Sequence, residues 1–137
     1  MKVVIDTNCL IASINRNRPE FWLYNAFIDE KFEWVISNEI LTEYVEVITR
    51  IYSESTAKVV SEILLLADNV TLQEPFYKWQ LIEKDPDDNK FADLAIAANA
   101  NYLVSNDKHF QILNKHELDM FALQVVDLEF FRKICNY

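Results

Sequence analysis

The stretch VVID, Val3 to Asp6, opens this chain of 137 residues with three apolar residues followed by an acid. A short continuous apolar run is typical of a strand that is buried on both faces of a parallel sheet. A second such run, Tyr102 to Val104, is followed by Ser105, Asn106 and Asp107. Ligands of open parallel sheets bind outside the carboxyl ends of the strands. The two runs therefore predict a parallel α/β fold with Asp6 and Asp107 at its binding edge.

Strand and helix patterns alternate along the chain without repeats or a linker-like change in composition, which favours one α/β domain over residues 1–137. Five strands are predicted, at Val3 to Asp6, Glu33 to Ile36, Val70 to Gln73, Tyr102 to Ser105 and Leu123 to Val126. Helices are predicted at Pro19 to Glu30, Asn38 to Tyr52, Ser55 to Asp68 and Asp87 to Ala98, with a short one after Asp107 and a last one from Leu128.

No glycine occurs anywhere in the chain. A phosphate loop of the Walker type and a dinucleotide-binding fingerprint both require glycines, so no nucleotide cofactor is expected. Turns that need a left-handed residue must use another side chain, and asparagine tolerates that conformation well. Asn99 is therefore predicted to end the alanine-rich helix in the left-handed region, while Ser37 and either Ser53 or Ser55 are predicted N-caps.

The segment from Glu74 to Lys84 carries three aromatic residues and a proline. It is predicted to form a short helix or a packed loop. Its aromatic side chains are expected to fill the core, and a platform for stacking RNA bases is the less favoured interpretation.

The net charge of −9 argues against a broad electrostatic grip on nucleic acid, because phosphate-binding surfaces are usually basic. Bound divalent cations would reverse the local field if several acids are their ligands. The two cysteines are too few for a disulfide framework, and Cys9 is expected to be a small buried residue. Neither a leader nor an apolar run of roughly 20 residues is found, so a cytoplasmic protein without a membrane span is expected.

Glu43 lies near the apolar face of the helix predicted from Asn38. The residues that define that face by their spacing are Ile40, Tyr44, Val47, Ile48 and Ile51. At about 100° per residue, Glu43 is some 60° from the centre of the face, whereas Glu39 and Glu46 are about 100° or more away. An acid at the rim of the core is the ordinary explanation of Glu43, and a ligand role is favoured once other acids converge on the same place.

The run from Asp85 to Asn89 contains three acids around one proline. Asp85 as N-cap, Pro86 in the first turn and Asp88 in a capping box explain two of the acids. They do not explain the third, because three adjacent acids repel one another. Asp88 shares its side of the following helix with Phe91, whereas Asp93 points roughly the opposite way. Asp88 is therefore the candidate ligand, with Asp87 in a supporting position.

Asp6, Glu43, Asp88 and Asp107 together concentrate negative charge that only a cation can neutralise, and we interpret them as a Mg²⁺ or Mn²⁺ site. Thr7, Asn8, Ser105 and Asn106 are predicted to orient the carboxylates or a metal-bound water. His109 and His116 lack zinc-ligand spacing, so a zinc site is not expected. Residues that could hold RNA phosphates are Arg16, Arg18, Lys84, Lys90, Lys108 and His109.

Four ordered segments of the chain resemble the PIN domain, in particular the toxin components of bacterial toxin-antitoxin pairs. They are Val4 to Asn8, Glu39 to Glu43, Asp85 to Phe91 and Tyr102 to Asp107. The resemblance implies a Rossmann-like three-layer sandwich whose five parallel strands have the order 3-2-1-4-5. It also implies a Mg²⁺- or Mn²⁺-dependent ribonuclease, with Asp6, Glu43, Asp88 and Asp107 as its acidic site, and an antitoxin as a partner. Family members commonly have glycine where this chain has Asn99 and Asn106.

The favoured hypothesis is metal-dependent hydrolysis of single-stranded or looped RNA by an activated water. One rival is a magnesium-dependent phosphomonoesterase, which usually has a second acid where this chain has Asn8. The other is a PIN-like interaction module with weak or absent catalysis, against which the full set of acids argues. Helices around Trp22 and around Leu64 to Leu66 also offer candidate surfaces for a homodimer, but packing in the core explains these residues equally well.

Overall fold

A computed structural model of the chain describes residues 1–82, 86–111 and 121–137, and it contains a sheet of five parallel strands. The strands are β1 (Lys2–Ile5), β2 (Glu33–Ile36), β3 (Val70–Leu72), β4 (Tyr102–Val104) and β5 (Gln124–Val126). Their order across the sheet is β3-β2-β1-β4-β5, with every neighbouring pair parallel. The predicted fold class and strand order are confirmed.

Strand β1 is buried on both faces, since Val3, Val4 and Ile5 are all fully inaccessible to solvent. Side chains of consecutive strand residues point to opposite faces, so helices must cover both sides of the sheet. In the register between β1 and β4, Ile5 lies opposite Val104. The residues that follow, Asp6 and Ser105, therefore leave the sheet side by side.

The helices of the described ranges are α1 (Thr7–Ile14), α2 (Trp22–Ile28), α3 (Asn38–Ile51), α4 (Glu54–Leu66), α5 (Asn89–Ala97), α6 (Lys108–Gln111) and α7 (Leu128–Cys135). Short 3₁₀ turns, Pro19–Phe21 and Pro86–Asp88, precede α2 and α5. All of these helices except α1 correspond to predicted ones within a few residues. Helix α1 was not predicted, because its buried residues Thr7, Cys9, Leu10 and Ser13 mix polar and apolar types and give no clear helical stripe.

The predicted helix ends at Ser37, Ser53 and Asn99 are confirmed, whereas the predicted N-cap Asp85 lies outside the described residues. The Ser37 hydroxyl accepts a hydrogen bond from the amide of Ile40 at 3.1 Å, and that of Ser53 accepts one from Thr56 at 3.1 Å. Asn99 follows α5 with φ 53°, in the left-handed region. Asparagine thus replaces the glycine that usually ends helices in this way.

The segment between β3 and the turn before α5 is irregular over its described residues 73–82. Phe76, Tyr77 and Trp79 are 95%, 63% and 39% exposed, so the expectation that the aromatics of this segment fill the core was wrong. Trp79 is less exposed because its ring packs against Phe121, with centroids 5.2 Å apart. Residues 83 and 84 of the predicted segment lie outside the described residues. Within the described ranges, no helix is long and apolar enough to cross a membrane.

Candidate metal centre

The four candidate acids come from four different elements. Asp6 directly follows β1 and stands at the N-cap position of α1, and it is only 6% exposed. Asp107 follows β4 and immediately precedes α6, while Glu43 lies on α3 and Asp88 ends the turn that leads into α5. Two strand ends and two helices therefore contribute the acids.

One buried hydroxyl connects Asp6 with Asp107. The Ser105 hydroxyl donates a hydrogen bond to Asp6 Oδ2 at 2.8 Å and accepts one from the Asp107 amide at 3.0 Å. Ser105 is completely buried, so this geometry is not disturbed by competing water. Because the two strands end side by side, a single serine bonds both the carboxylate of Asp6 and the backbone of Asp107. Its role in supporting metal ligands stays a prediction.

The pKa of Asp6 is raised to about 6, mainly by burial, with a small contribution from the negative charges of Glu43 and Asp107. Hydrogen bonds from the Ser105 hydroxyl and the Thr7 amide act in the opposite direction and are the smaller influence. An ionised Asp6 is therefore costly in the metal-free protein. A divalent cation at this place would remove that cost.

Glu43 is held by two groups of the protein. The Thr7 hydroxyl donates to Glu43 Oε2, and Lys90 Nζ lies 2.7 Å from Glu43 Oε1. The Lys90 side chain is only 10% exposed and also donates to the Asp87 carbonyl at 2.7 Å. Lys90 therefore reaches from α5 to Glu43 and holds this acid in place. The sequence predicted only a contact between Lys90 and RNA phosphates.

His109 joins two of the acids. One donor atom each from Asp88, Asp107 and His109 lie within 4.8 Å of one another, an arrangement able to hold a metal ion. The backbone amide of His109 donates to Asp107 Oδ1 at 2.9 Å, and His109 Nδ1 lies 3.6 Å from the same oxygen. The spacing of His109 in the sequence did not indicate this arrangement, because Asp88 approaches from a different element. His116 lies outside the described residues.

The other predicted site residues differ in their surroundings. Asn106 Oδ1 accepts a hydrogen bond from the Leu128 amide at 3.0 Å and so ties the loop after β4 to α7. Asn8, Asp87 and Lys108 are exposed. Arg18 pairs with Glu20, its Nε 3.5 Å from Glu20 Oε2. These residues keep their predicted roles as hypotheses.

Arg16, a predicted phosphate contact, lines an apolar groove beside α2 and α4. Cys9 is 1% exposed, as expected. Burial, with a smaller influence from the charge of Asp6, raises the pKa of the Cys9 thiol to about 12, so this cysteine does not act as a nucleophile at neutral pH.

Asp93 has a role that the sequence did not indicate. It is 5% exposed, and its Oδ1 accepts a hydrogen bond from the Trp79 amide at 2.9 Å. Burial raises the pKa of Asp93, an effect partly opposed by that hydrogen bond and by the charge of Lys78. Asp93 therefore anchors the irregular segment before α5. From the sequence alone, Asp93 has the pattern of a solvent-exposed acid on a helix. Its role is visible only in the hydrogen bond from Trp79, which lies 14 residues earlier in the chain.

The donor set fits a divalent cation. Carboxylate oxygens suit Mg²⁺ and Mn²⁺, and the imidazole of His109 adds a nitrogen donor that transition metals accept. The buried Asp6 with its raised pKa is the kind of group that a bound cation stabilises in its ionised form.

A parallel sheet of this order, with acids gathered at the carboxyl ends of β1 and β4, defines an α/β protein of the Rossmann-like class with a candidate metal centre. The family model for the PIN domain matches residues 2–109. The chain therefore belongs to the PIN domain family.

A solved structure with a similar fold is that of VapBC2 from Rickettsia felis bound to a DNA fragment from their promoter. The TM-score is 0.64 at 17% sequence identity, and the match covers 93% of this chain and 98% of that chain. No curated protein matches this chain. At this sequence identity, the similarity between the two structures shows a shared fold alone.

Replacing Ser105 with alanine is expected to lower the free energy of unfolding by about 1–3 kcal/mol, because it leaves buried hydrogen-bonding groups unpaired. It should also weaken Mn²⁺ binding by about 10- to 100-fold, since both flanking acids lose their support. Urea unfolding and Mn²⁺ titration measure the two effects. Ser61→Ala on α4, whose hydroxyl donates to the Lys58 carbonyl at 3.0 Å, is the matched control. Equal results for both variants would show that Ser105 does not position the acids.

Proposed function

We propose that this protein is a divalent-metal-dependent endoribonuclease that hydrolyses phosphodiester bonds of single-stranded or looped RNA. The observation that carries the proposal is the convergence of acids at the carboxyl ends of β1 and β4, with Asp6 buried among them and its pKa raised to about 6. The chain belongs to the PIN domain family, and its resemblance to the toxin components of that family implies nuclease activity. Both support the same reaction.

Asp6, Glu43, Asp88 and Asp107 are the proposed metal-binding and catalytic acids. A bound Mg²⁺ or Mn²⁺ would supply a water activated at neutral pH and neutralise charge on the scissile phosphate. Thr7 and Lys90 hold Glu43 in one orientation, and Ser105 aligns Asp6 with Asp107. The products would carry a 5′ phosphate and a 3′ hydroxyl.

The substrate class follows from charge and shape. An acidic chain with a net charge of −9 binds extended phosphate backbones weakly, and a flexible strand reaches a narrow acidic crevice more readily than a duplex does. Exposed Tyr77 and Trp79, with ring centroids 4.7 Å apart, are suited to stacking on unpaired bases. The exposed side chains of Arg18 and Lys108 are candidate phosphate contacts.

Cleavage of an end-labelled single-stranded RNA by purified protein tests the proposal. We expect cleavage in Mn²⁺, none with chelator, and none from an Asp6→Asn preparation purified in parallel. Cleavage that is equal for wild type and variant would come from a contaminating nuclease and would contradict the proposed site.

Two other functions have distinct outcomes. Turnover of a generic aryl phosphate without RNA cleavage would support a phosphomonoesterase, although Asn8 stands where such enzymes usually carry a second acid. A folded protein that neither binds metal nor cleaves RNA would support an interaction module. The free, buried cysteines suit the reducing cytoplasm, the location that we propose.

The resemblance to toxin components and the likeness in fold to VapBC2 support an antitoxin protein as a partner. A groove of about 410 Å³ beside α1, α2 and α4 offers it an apolar surface that includes Leu10, Val59 and Ile63. A second copy of the chain is the alternative partner, and Leu66 on α4, which is 82% exposed, is a candidate contact for it. Light scattering of the chain alone separates the two, since only self-association gives a dimer.

A further inference from the structure

We infer that His109 binds the divalent cation directly, together with Asp88 and Asp107, and that it makes the site prefer Mn²⁺ to Mg²⁺. This inference rests on the proposed function, because it assigns a further ligand to the same metal centre. It adds a nitrogen donor to a site that the sequence predicts to consist of carboxylates alone.

The distances suit a shared ion. His109 Nδ1 lies 3.6 Å from Asp107 Oδ1, and donor atoms of Asp88, Asp107 and His109 are all within 4.8 Å of one another. Two ligands that bind one ion at about 2.1 Å lie roughly 3 Å apart when adjacent and about 4.2 Å apart when opposite. The observed separation of Nδ1 and Oδ1 falls between these values.

The state of the imidazole also indicates a missing partner. His109 Nδ1 is buried and makes no hydrogen bond within the part of the chain that the structure describes, although the side chain as a whole is 40% exposed. A buried polar atom without a partner is destabilising, so such atoms in native proteins usually serve a ligand or a reaction. A cation bound beside Asp107 would give Nδ1 a partner, because the two donor atoms lie only 3.6 Å apart.

The backbone keeps His109 in place for this role. Its amide donates to Asp107 Oδ1 at 2.9 Å at the start of α6, so the histidine and the acid are fixed relative to each other. Glu43, by contrast, is already held by Thr7 and Lys90, and Asp6 by Ser105. The half of the centre around Asp107 is therefore where an added cation gains a new nitrogen ligand.

The identity of the donors determines the metal preference. Mg²⁺ is a hard cation that favours oxygen and keeps its waters, whereas Mn²⁺ accepts imidazole nitrogen more readily. A site with one histidine and several carboxylates therefore discriminates between the two ions more strongly than carboxylates alone. Loss of the histidine should reduce that discrimination.

Pulsed EPR of the protein with Mn²⁺ tests the assignment, because a coordinated imidazole couples its nitrogen to the metal spin. The chain has two histidines, so His116→Gln is the matched control for His109→Gln. We expect the nitrogen coupling in the wild type and in His116→Gln, and its loss in His109→Gln. Calorimetric titration should show Mn²⁺ affinity falling about tenfold in His109→Gln, while Mg²⁺ affinity changes much less.

The remaining outcomes separate this inference from the proposed function. Mn²⁺ that binds and supports RNA cleavage without nitrogen coupling would overturn the role of His109 and leave the nuclease intact. Coupling that persists in His109→Gln would overturn it in the same way. If a protein that circular dichroism shows to be folded does not bind Mn²⁺, both the role of His109 and the proposed nuclease are overturned.

Discussion

Replacement of Asp6 by asparagine is expected to lower metal-dependent RNA cleavage by about a thousandfold or more, because several kcal/mol of transition-state stabilisation depend on a held cation. Folding should not suffer. The amide oxygen that Asp6→Asn introduces can still accept the hydrogen bond from Ser105, and the buried charge is gone. Steady-state cleavage of end-labelled RNA measures the loss.

The same variant is expected to be more stable than the wild type at neutral pH when metal is absent. The pKa of Asp6 is about 6 in the folded protein, against an ordinary value of 3.8. Because the folded protein holds the proton of Asp6 more tightly than the unfolded chain does, the free energy of unfolding is highest below pH 3.8. It falls as the pH rises through about 6. The difference corresponds to about 3 kcal/mol at pH 8.

Urea unfolding in chelator, between about pH 4 and pH 8, compares wild type with Asp6→Asn. We expect the wild type to lose free energy of unfolding relative to the variant over this range. If the free energy of unfolding changes with pH in the same way for both proteins, burial does not raise the pKa of Asp6. A variant that is less stable at every pH would identify Asp6 as a structural acid instead of a metal ligand.

Addition of Mn²⁺ is the second change with a large expected effect. A ligand at about 100 times its Kd that binds only the folded state stabilises it by about 2.7 kcal/mol. For a chain of this size that corresponds to a rise in Tm on the order of 8 °C. The rise should disappear when Asp88 and Asp107 are both replaced by asparagine, because they contribute to the donor set with His109.

Two controls isolate this effect. Sodium chloride at equal ionic strength separates binding from general screening of the acidic chain. Glu62→Gln removes one exposed charge on α4 and should leave the rise in Tm unchanged. No rise at millimolar Mn²⁺ in the wild type would contradict the metal centre and favour the interaction module.

Local patterns in the chain were sufficient to locate most elements of the fold. The apolar runs before Asp6 and Asp107 predicted the two central strands, since only a strand covered on both faces needs no polar alternation. The rim position of Glu43 on α3 was also predicted from helical spacing, and its side chain is 26% exposed. Helix α1 was missed because its buried face includes polar residues, Thr7 and Ser13, which neighbouring elements cover only in the folded protein.

The sequence by itself determined the parallel α/β class, the strand ends that carry Asp6 and Asp107, and the candidate set of acids. The tertiary structure alone decided that Lys90 pairs with Glu43, that Ser105 serves two acids, and that His109 meets Asp88. The physical reason is that spacing along the chain specifies the face on which a side chain lies. It does not specify which distant side chain approaches that face once the helices pack on the sheet.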